Sequence, residues 1–312
     1  MNNRPLVSIC IPAFGRLQYV RRTLTSIYNE AKVDSICLED FEVILSDNDP
    51  QRSLLSLGDE FPYRNFAYHN PTCEGFMNSF YALSFGHGEL LKLHNSQELF
   101  NKGSLKAIID SAYRYRKEKC LLFFSSGLLE IGQVLITNSF DEFIDRTSYF
   151  SSWSNAFAIW KEDFDRVKNI QTLNKLFPHT SLLFSQTNKS KYIIDDRPLF
   201  TTQFIKKRGG HNKFEAFTIE YPSILDCSVI EGAIQESTRL NIIKSLRDRF
   251  LPQLYFNVKI AKRETFASDG FKTNIKKYFP PGSYKRVQLM SIVVPFATIW
   301  RKVKIIFYKR VL

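Results

Sequence analysis

Two polar clusters close apolar runs near the start of this chain. Val7-Ser8-Ile9-Cys10-Ile11-Pro12 stops at a proline, and Ala13-Phe14-Gly15-Arg16 follows it. Phe41-Glu42-Val43-Ile44-Leu45 runs into Ser46-Asp47-Asn48-Asp49. A carboxylate at a strand end can accept hydrogen bonds from a nucleobase imide or a ribose hydroxyl, and backbone groups beside Ala13 can read a base edge. Asp47 and Asn48 could equally do no more than cap a turn. Further along, His179 follows Phe177-Pro178 at the head of an apolar helix, and histidine can take a proton near neutral pH. Asp195-Asp196 is a competing carboxylate pair. The run Lys206-Lys207-Arg208-Gly209-Gly210-His211-Asn212-Lys213 reads either as a solvated surface loop or as a mobile basic loop that closes over phosphates.

Between the first two clusters, Val20, Leu24, Ile27 and Tyr28 recur at helical spacing. A short buried strand, a turn, a helix and a second buried strand make a βαβ unit. Ligands of such sheets bind beyond the carboxyl ends of the strands, where both clusters fall, so the spacing predicts a nucleotide pocket. Strands are expected at 65–69, 89–94 and 121–124, and helices at 76–85 and 104–117. Gly86-His87-Gly88 reads as a glycine cap on the first of these helices. This alternation predicts an α/β fold with a mostly parallel sheet flanked by helices. Residues 125–225 are less regular, and a helical tail begins near 230.

The chain has 312 residues, enough for a substantial core, and 28 Phe and 14 Tyr suit either that core or stacking surfaces. Its five cysteines form no CxxC or metal-like spacing, and no basic segment followed by a long apolar region opens the chain, so a reduced cytoplasmic setting is expected. The net charge of +12 is uneven: residues 241–312 carry 16 Lys/Arg against three acids, and the preceding residues sum to −1. That asymmetry points to an anionic surface. In 286–312 the uncharged stretch Val287 to Trp300 is 14 residues long and contains a proline, whereas a spanning helix needs about 20. Arg301, Lys302, Lys304, Lys309 and Arg310 are mixed with apolar residues, the composition of a helix lying in a bilayer interface. The alternative is an amphipathic helix packed on the domain or on a partner. Interleaving of charge with an apolar stripe, and no nucleic-acid-binding motif, argue against nucleic acid.

The ordered set of motifs resembles family 2 glycosyltransferases of GT-A fold. Val7 to Arg16 resembles their V-S-I-I-I-P-x-Y-N-R opening. Ser46-Asp47-Asn48 resembles the S-D-N of the abequosyltransferase-like O-antigen branch, and Gly75-Phe76-Met77-Asn78 its G-x-x-x-N stretch. Leu90 to Leu105 is similar to that branch's Y-I-W-L-L-S-D-D-D-I-L-x-P-G-A-L. The resemblance is good over roughly 5–110, weak through 150–220, and fades beyond. It implies a GT-A domain over 1–225, with a nucleotide-sugar half (1–120) and an acceptor half (121–225), followed by a basic helical extension over 226–312. Pro12, Ala13, Phe14, Arg16, Asp47, Asn48, Gly75, Asn78, Asn95 and Ser96 would then line the donor. Trp153, Asn155, Lys207, Arg208 and His211 would face the diphosphate and acceptor.

The family's D-x-D triplet, which holds a divalent cation on the donor diphosphate, is here Ser96-Gln97-Glu98. Glu98 alone keeps a carboxylate, so a Mg²⁺ or Mn²⁺ ion is expected to be weakly held or dispensable. The resemblance also implies inversion at the anomeric carbon, with a base that deprotonates the acceptor hydroxyl. His179 or Asp196 would serve, with Glu98 facing the diphosphate. The expected activity is transfer of a sugar from a nucleotide donor to a polyprenyl-diphosphate-linked glycan in O-antigen or surface-polysaccharide assembly, at the inner face of the plasma membrane. A non-catalytic scaffold of the same fold is the alternative.

Overall fold

The computed structural model describes residues 4–168, 173–205 and 209–295. The expected opening unit is present as β1 (Val7–Ala13), α1 (Leu17–Val33) and β2 (Phe41–Asp47). β1 and β2 pair in parallel, from Val7 opposite Phe41 to Ala13 opposite Asp47, so both polar clusters emerge at one rim. α1 lays Val20, Leu24, Ile27, Tyr28 and Ala31 against the sheet at helical spacing. α2 (Leu57–Glu60), β3 (Phe66–His69), α3 (Asn78–Ser84) and β4 (Leu90–Leu93) follow. Next come β5 (Glu98–Phe100), α4 (Ser104–Tyr115), β6 (Leu121–Phe124), β7 (Val134–Thr137), α5 (Phe140–Thr147), β8 (Ala158–Trp160) and α6 (Lys161–Val167). α7 (Pro178–Phe184), β9 (Tyr192–Asp195) and β10 (Phe200–Thr202) complete this part of the chain.

The main sheet runs β3-β2-β1-β4-β8, parallel except for β8. Strands with neighbours on both sides and helices on both faces read as continuous apolar runs, and β1, β2 and β4 are buried almost throughout. The apolar strand at 121–124 is not in that sheet. β6 joins β9 in parallel, and β7 flanks β9 in antiparallel fashion. β5 and β10 form an antiparallel ribbon that pairs Glu98 with Thr202.

Gly86 and Gly88 do not form the expected left-handed cap. Neither has a positive φ. Their smallness makes room: a Cβ on Gly88 would lie 2.6 Å from the Ser8 nitrogen, and one on Gly86 would lie 2.7 Å from Leu91. They let the chain pass tightly beside β1.

The chain divides into two compact units, Met1–Gln203 and Phe204–Leu312, earlier than the boundary expected at 225. The described part of the second unit is mostly helical: α8 (Lys213–Glu215), α9 (Tyr221–Ile230), α10 (Glu236–Ser245), α11 (Leu251–Tyr255) and α12 (Phe271–Tyr278). Wider π turns lead from α8 to α9 and from α10 to α11. Residues 283–295 are also helical. There Val287 and Ser291 are buried, while Leu289, Ile292 and Val293 are exposed at 66%, 61% and 50%.

Candidate active site

Asn78, at the start of α3, ties the strand ends of the rim together. Its Nδ2 lies 3.1 Å from the Ala13 carbonyl, 2.8 Å from the Ser46 carbonyl and 3.0 Å from Asn48 Oδ1. The Ser46 hydroxyl donates to Asn78 Oδ1 at 2.6 Å. The Asn48 backbone N–H donates to the Ala13 carbonyl at 3.2 Å, and its side chain donates to the Cys73 carbonyl at 3.2 Å. Asn78 is 3% exposed, so it positions the rim rather than offering its amide to solvent. Gly75, at φ +46, opens the short turn of helix leading into it.

Asp47 is fully buried at the end of β2. Its carboxylate accepts from the Asp49 and Leu54 backbone N–H groups at 3.1 and 3.3 Å and from the Tyr68 hydroxyl at 3.0 Å. Burial raises its pKa, and the Asp49 N–H and Tyr68 hydroxyl pull the other way. The expectation of a carboxylate open to ligand is therefore not met: this group shapes the loop 48–54. The atoms of the rim nearest solvent belong to Phe14, 62% exposed, and to Arg16, while Pro12 is half-buried.

The 95–98 loop is anchored from three sides. Thr23 of α1 donates to the Ser96 carbonyl at 3.0 Å. The Gln203 backbone N–H donates to the Gln97 carbonyl at 2.9 Å. Asn155 Oδ1 accepts from the Asn95 N–H at 2.7 Å, and the Ser154 hydroxyl donates to Asn95 Oδ1 at 2.8 Å. Beneath it, Lys92 is fully buried on β4. Its ammonium donates to the Leu93 and Asn155 carbonyls and sits 5.1 Å from the centre of the Phe200 ring. Burial lowers its pKa to about 7. His94 Nε2–H donates to the Glu98 carbonyl at 2.7 Å, and burial, then the Lys92 charge, holds the ring at about 3. Lys92 was not singled out from the sequence, although a lysine within Leu90-Leu91-Lys92-Leu93 was the available signal.

Glu98 does not fit the metal-ligand role expected of it. It is 4% exposed, on the buried face of β5 with Phe100, and both its oxygens lie 2.9 Å from the Thr202 hydroxyl. Asn95 Oδ1 is engaged by Ser154, and Gln97 Oε1 accepts from Arg16 at 3.3 Å. Hard divalent cations want several oxygen ligands, carboxylates foremost. Among the described residues no group of three or more His, Cys, Asp or Glu is placed to hold a metal.

Asp196 is fully buried, and its carboxylate accepts from Ser125 Oγ and the Leu129, Ile131 and Gly132 N–H groups at 2.6 to 3.1 Å. With four donors on two oxygens it clamps the loop that follows β6. His179 is the second residue of α7. Its Nε2–H donates to the Ser152 carbonyl at 2.9 Å, and Nδ1 is buried without a partner among the described residues. Burial lowers its pKa to about 4, so the ring is neutral at pH 7. That hydrogen bond fixes the turn just before Trp153, which is half-buried. Asn155 is buried and belongs to the loop anchorage. Lys207 and Arg208 lie outside the described residues. His211 belongs to the second unit, packed edge-on against Phe266.

This arrangement, an open and mostly parallel sheet with its polar loops at one rim, is the GT-A fold. Solved structures that share it include residues 1–349 of TarS from S. aureus, with a TM-score of 0.59, 13% identity, and coverage of 91% of this chain and 82% of that one. The same fragment in complex with UDP-GlcNAc gives 0.55 and 15%, covering 81% and 76%. The mannosyltransferase PcManGT from Pyrobaculum calidifontis, in complex with GDP-Man and Mn²⁺, gives 0.50 and 11%, covering 93% and 87%. No family model and no curated protein matches the chain.

Proposed function

We propose that the chain is an inverting glycosyltransferase that moves a sugar from a nucleotide donor to a lipid-linked oligosaccharide in bacterial O-antigen or surface-polysaccharide assembly. The observation that carries this reading is the rim at which Ala13, Ser46 and Asn48 are bound together by Asn78, with Asp47 holding the loop beside it, on a GT-A sheet. Bound UDP-GlcNAc and GDP-Man in structures of the same fold support it. In the reaction the acceptor oxygen bonds to the anomeric carbon, the bond from that carbon to the diphosphate breaks, and the nucleoside diphosphate leaves with the electron pair. His179 takes the hydroxyl proton on Nδ1 in this reading, which requires the turns over 148–156 to part.

Millimolar nucleotide sugars are expected to raise the melting temperature, because a ligand at a hundredfold its Kd adds about 2.7 kcal/mol to stability. Release of nucleoside diphosphate separates an enzyme from a non-catalytic scaffold. No thermal shift with any UDP-, GDP-, CDP- or TDP-sugar sinks the reading.

The acceptor's lipid carrier would bring the protein to the cytoplasmic face of the membrane. No described helix is long and apolar enough to cross a bilayer. Leu289, Ile292 and Val293 nevertheless form an exposed i, i+3, i+4 stripe beside exposed Lys285 and Arg286. Such a stripe suits burial among head groups. Replacing all three apolar residues by serine is expected to reduce sedimentation with phosphatidylglycerol vesicles at least tenfold. Unchanged sedimentation rules out this stripe as the anchor.

A further inference from the structure

The divalent cation of the GT-A fold does not fit the 95–98 loop, yet a nucleotide-sugar diphosphate still carries negative charge that something must face. Arg16 lies where that charge would be met. It sits between β1 and α1 with its backbone in the left-handed region, φ +59 and ψ +44, directly after Gly15 at φ +59. A side chain bearing a Cβ holds that conformation at a cost of about 1–2 kcal/mol, and only glycine, Asn and Asp visit it routinely. Here it aims the side chain across the rim. Nη1 of Arg16 donates to Gln97 Oε1, the central residue of the degenerate triplet, at 3.3 Å. Gln97 is itself buried, whereas Arg16 is exposed, so one edge of the guanidinium is held by the protein and the rest faces solvent. Thr23, two turns further along α1, fixes the Ser96 carbonyl, so helix and loop move as one piece.

The nearby carboxylate is at the same time withdrawn. Glu98 is turned inward to the Thr202 hydroxyl, and the Lys92 ammonium lies within its electrostatic reach. A carboxylate left open beside Arg16 would compete with a phosphate for the guanidinium, and a buried one does not. The open N-terminus of α1, without an acidic residue in its first turn, adds a partial positive end in the same place.

We propose that Arg16 replaces the metal ion: its guanidinium, braced by Gln97, binds the donor diphosphate directly, and no divalent cation takes part in donor binding. The inference rests on the nucleotide-sugar reading. A planar guanidinium matches two phosphate oxygens at once.

Titration calorimetry with UDP and with GDP as probes, in EDTA and in Mn²⁺, tests both levels. Wild type is expected to bind one of the two with a Kd that changes less than twofold between EDTA and Mn²⁺. Arg16→Met is expected to weaken binding at least tenfold in both buffers, with an unchanged melting temperature because the side chain is exposed. Arg16→Lys, which keeps a point charge and loses the fork, is expected to fall between. Binding that EDTA abolishes overturns the proposal and leaves the nucleotide reading intact. So does binding by Arg16→Met as tight as wild type. If neither probe, nor CDP or TDP, binds wild type in either buffer, the nucleotide reading falls and this proposal with it.

Discussion

Asp196→Ala is expected to destabilise the first unit by about 3–5 kcal/mol, because several hydrogen-bond donors lose their acceptor together, at roughly 1–3 kcal/mol for each that water does not reach. The side chain closes the loop that follows β6. That loop turns through four residues of positive φ, Ser126, Gly127, Glu130 and Gly132, two of them not glycine. A segment so contorted does not hold itself, and Asp196 supplies the acceptors: Oδ1 takes Ser125 and Leu129, and Oδ2 takes Ile131 and Gly132. Alanine takes the acceptor from three backbone donors and a hydroxyl, of which Ser125 is buried, Leu129 and Ile131 are half-buried and Gly132 is exposed. For a chain of this size each kcal/mol moves the melting temperature by roughly 2–4 °C, so calorimetry should show a drop of roughly 6–20 °C. Asp196→Asn keeps the shape but turns an amide donor toward donors, and is expected to fall between the two. A change under 1 kcal/mol for the alanine variant would show that the clamp is not what holds the loop. Lost turnover in Asp196→Asn with full stability would return Asp196 to the role of base.

That clamp also shows what could be read from the chain and what could not. β1, α1, β2 and α4 were legible because each is set by its own residues: a short apolar run buried on both faces, or apolar positions at helical spacing. The three-residue strands were not. β5 exists because β10, a hundred positions away, supplies its hydrogen bonds, and no local pattern in Glu98-Leu99-Phe100 announces that partner. The same pairing decides the candidate site. A glutamate at the end of a degenerate D-x-D looks like a metal ligand until pairing puts it on the face it shares with Phe100 and beside Thr202. Asp47 was found by its place at a strand end, and Asn78 by the resemblance of Gly75-Phe76-Met77-Asn78 to a family motif. That both are consumed in building the rim depends on where Tyr68, Leu54 and Ala13 lie in space. Arg16 was legible as a residue of the rim, and its contact with Gln97 was not, since that takes the left-handed turn at Gly15 and Arg16.

Acid is expected to weaken this protein well before its surface carboxylates titrate, and His179 is one identifiable cause. Burial holds its ring at about 4, whereas an unfolded histidine titrates near 6.5. Between those values the unfolded chain binds a proton that the folded chain refuses. The stabilising contribution is therefore complete above pH 6.5 and is lost progressively as pH falls toward 4, at about 1.4 kcal/mol per pH unit. His94, held lower still by burial and the Lys92 charge, acts in the same direction. Glutamine at 179 can donate to the Ser152 carbonyl without titrating. His179→Gln should thus lose its stability deficit relative to wild type by about 2 kcal/mol on going from pH 6.5 to pH 5, measured by urea unfolding at each pH. Parallel stability–pH curves for the two proteins would show that this ring does not titrate as its burial requires. Turnover separates a second role from this one. If Nδ1 takes the acceptor proton, the neutral ring is the active form, so turnover stays level above pH 6 and declines as pH drops through about 4. The glutamine variant then loses roughly 10²–10⁴-fold in kcat, the range general bases contribute. A variant that changes the acid stability and keeps its kcat would confine His179 to holding Ser152 and the turn that presents Trp153.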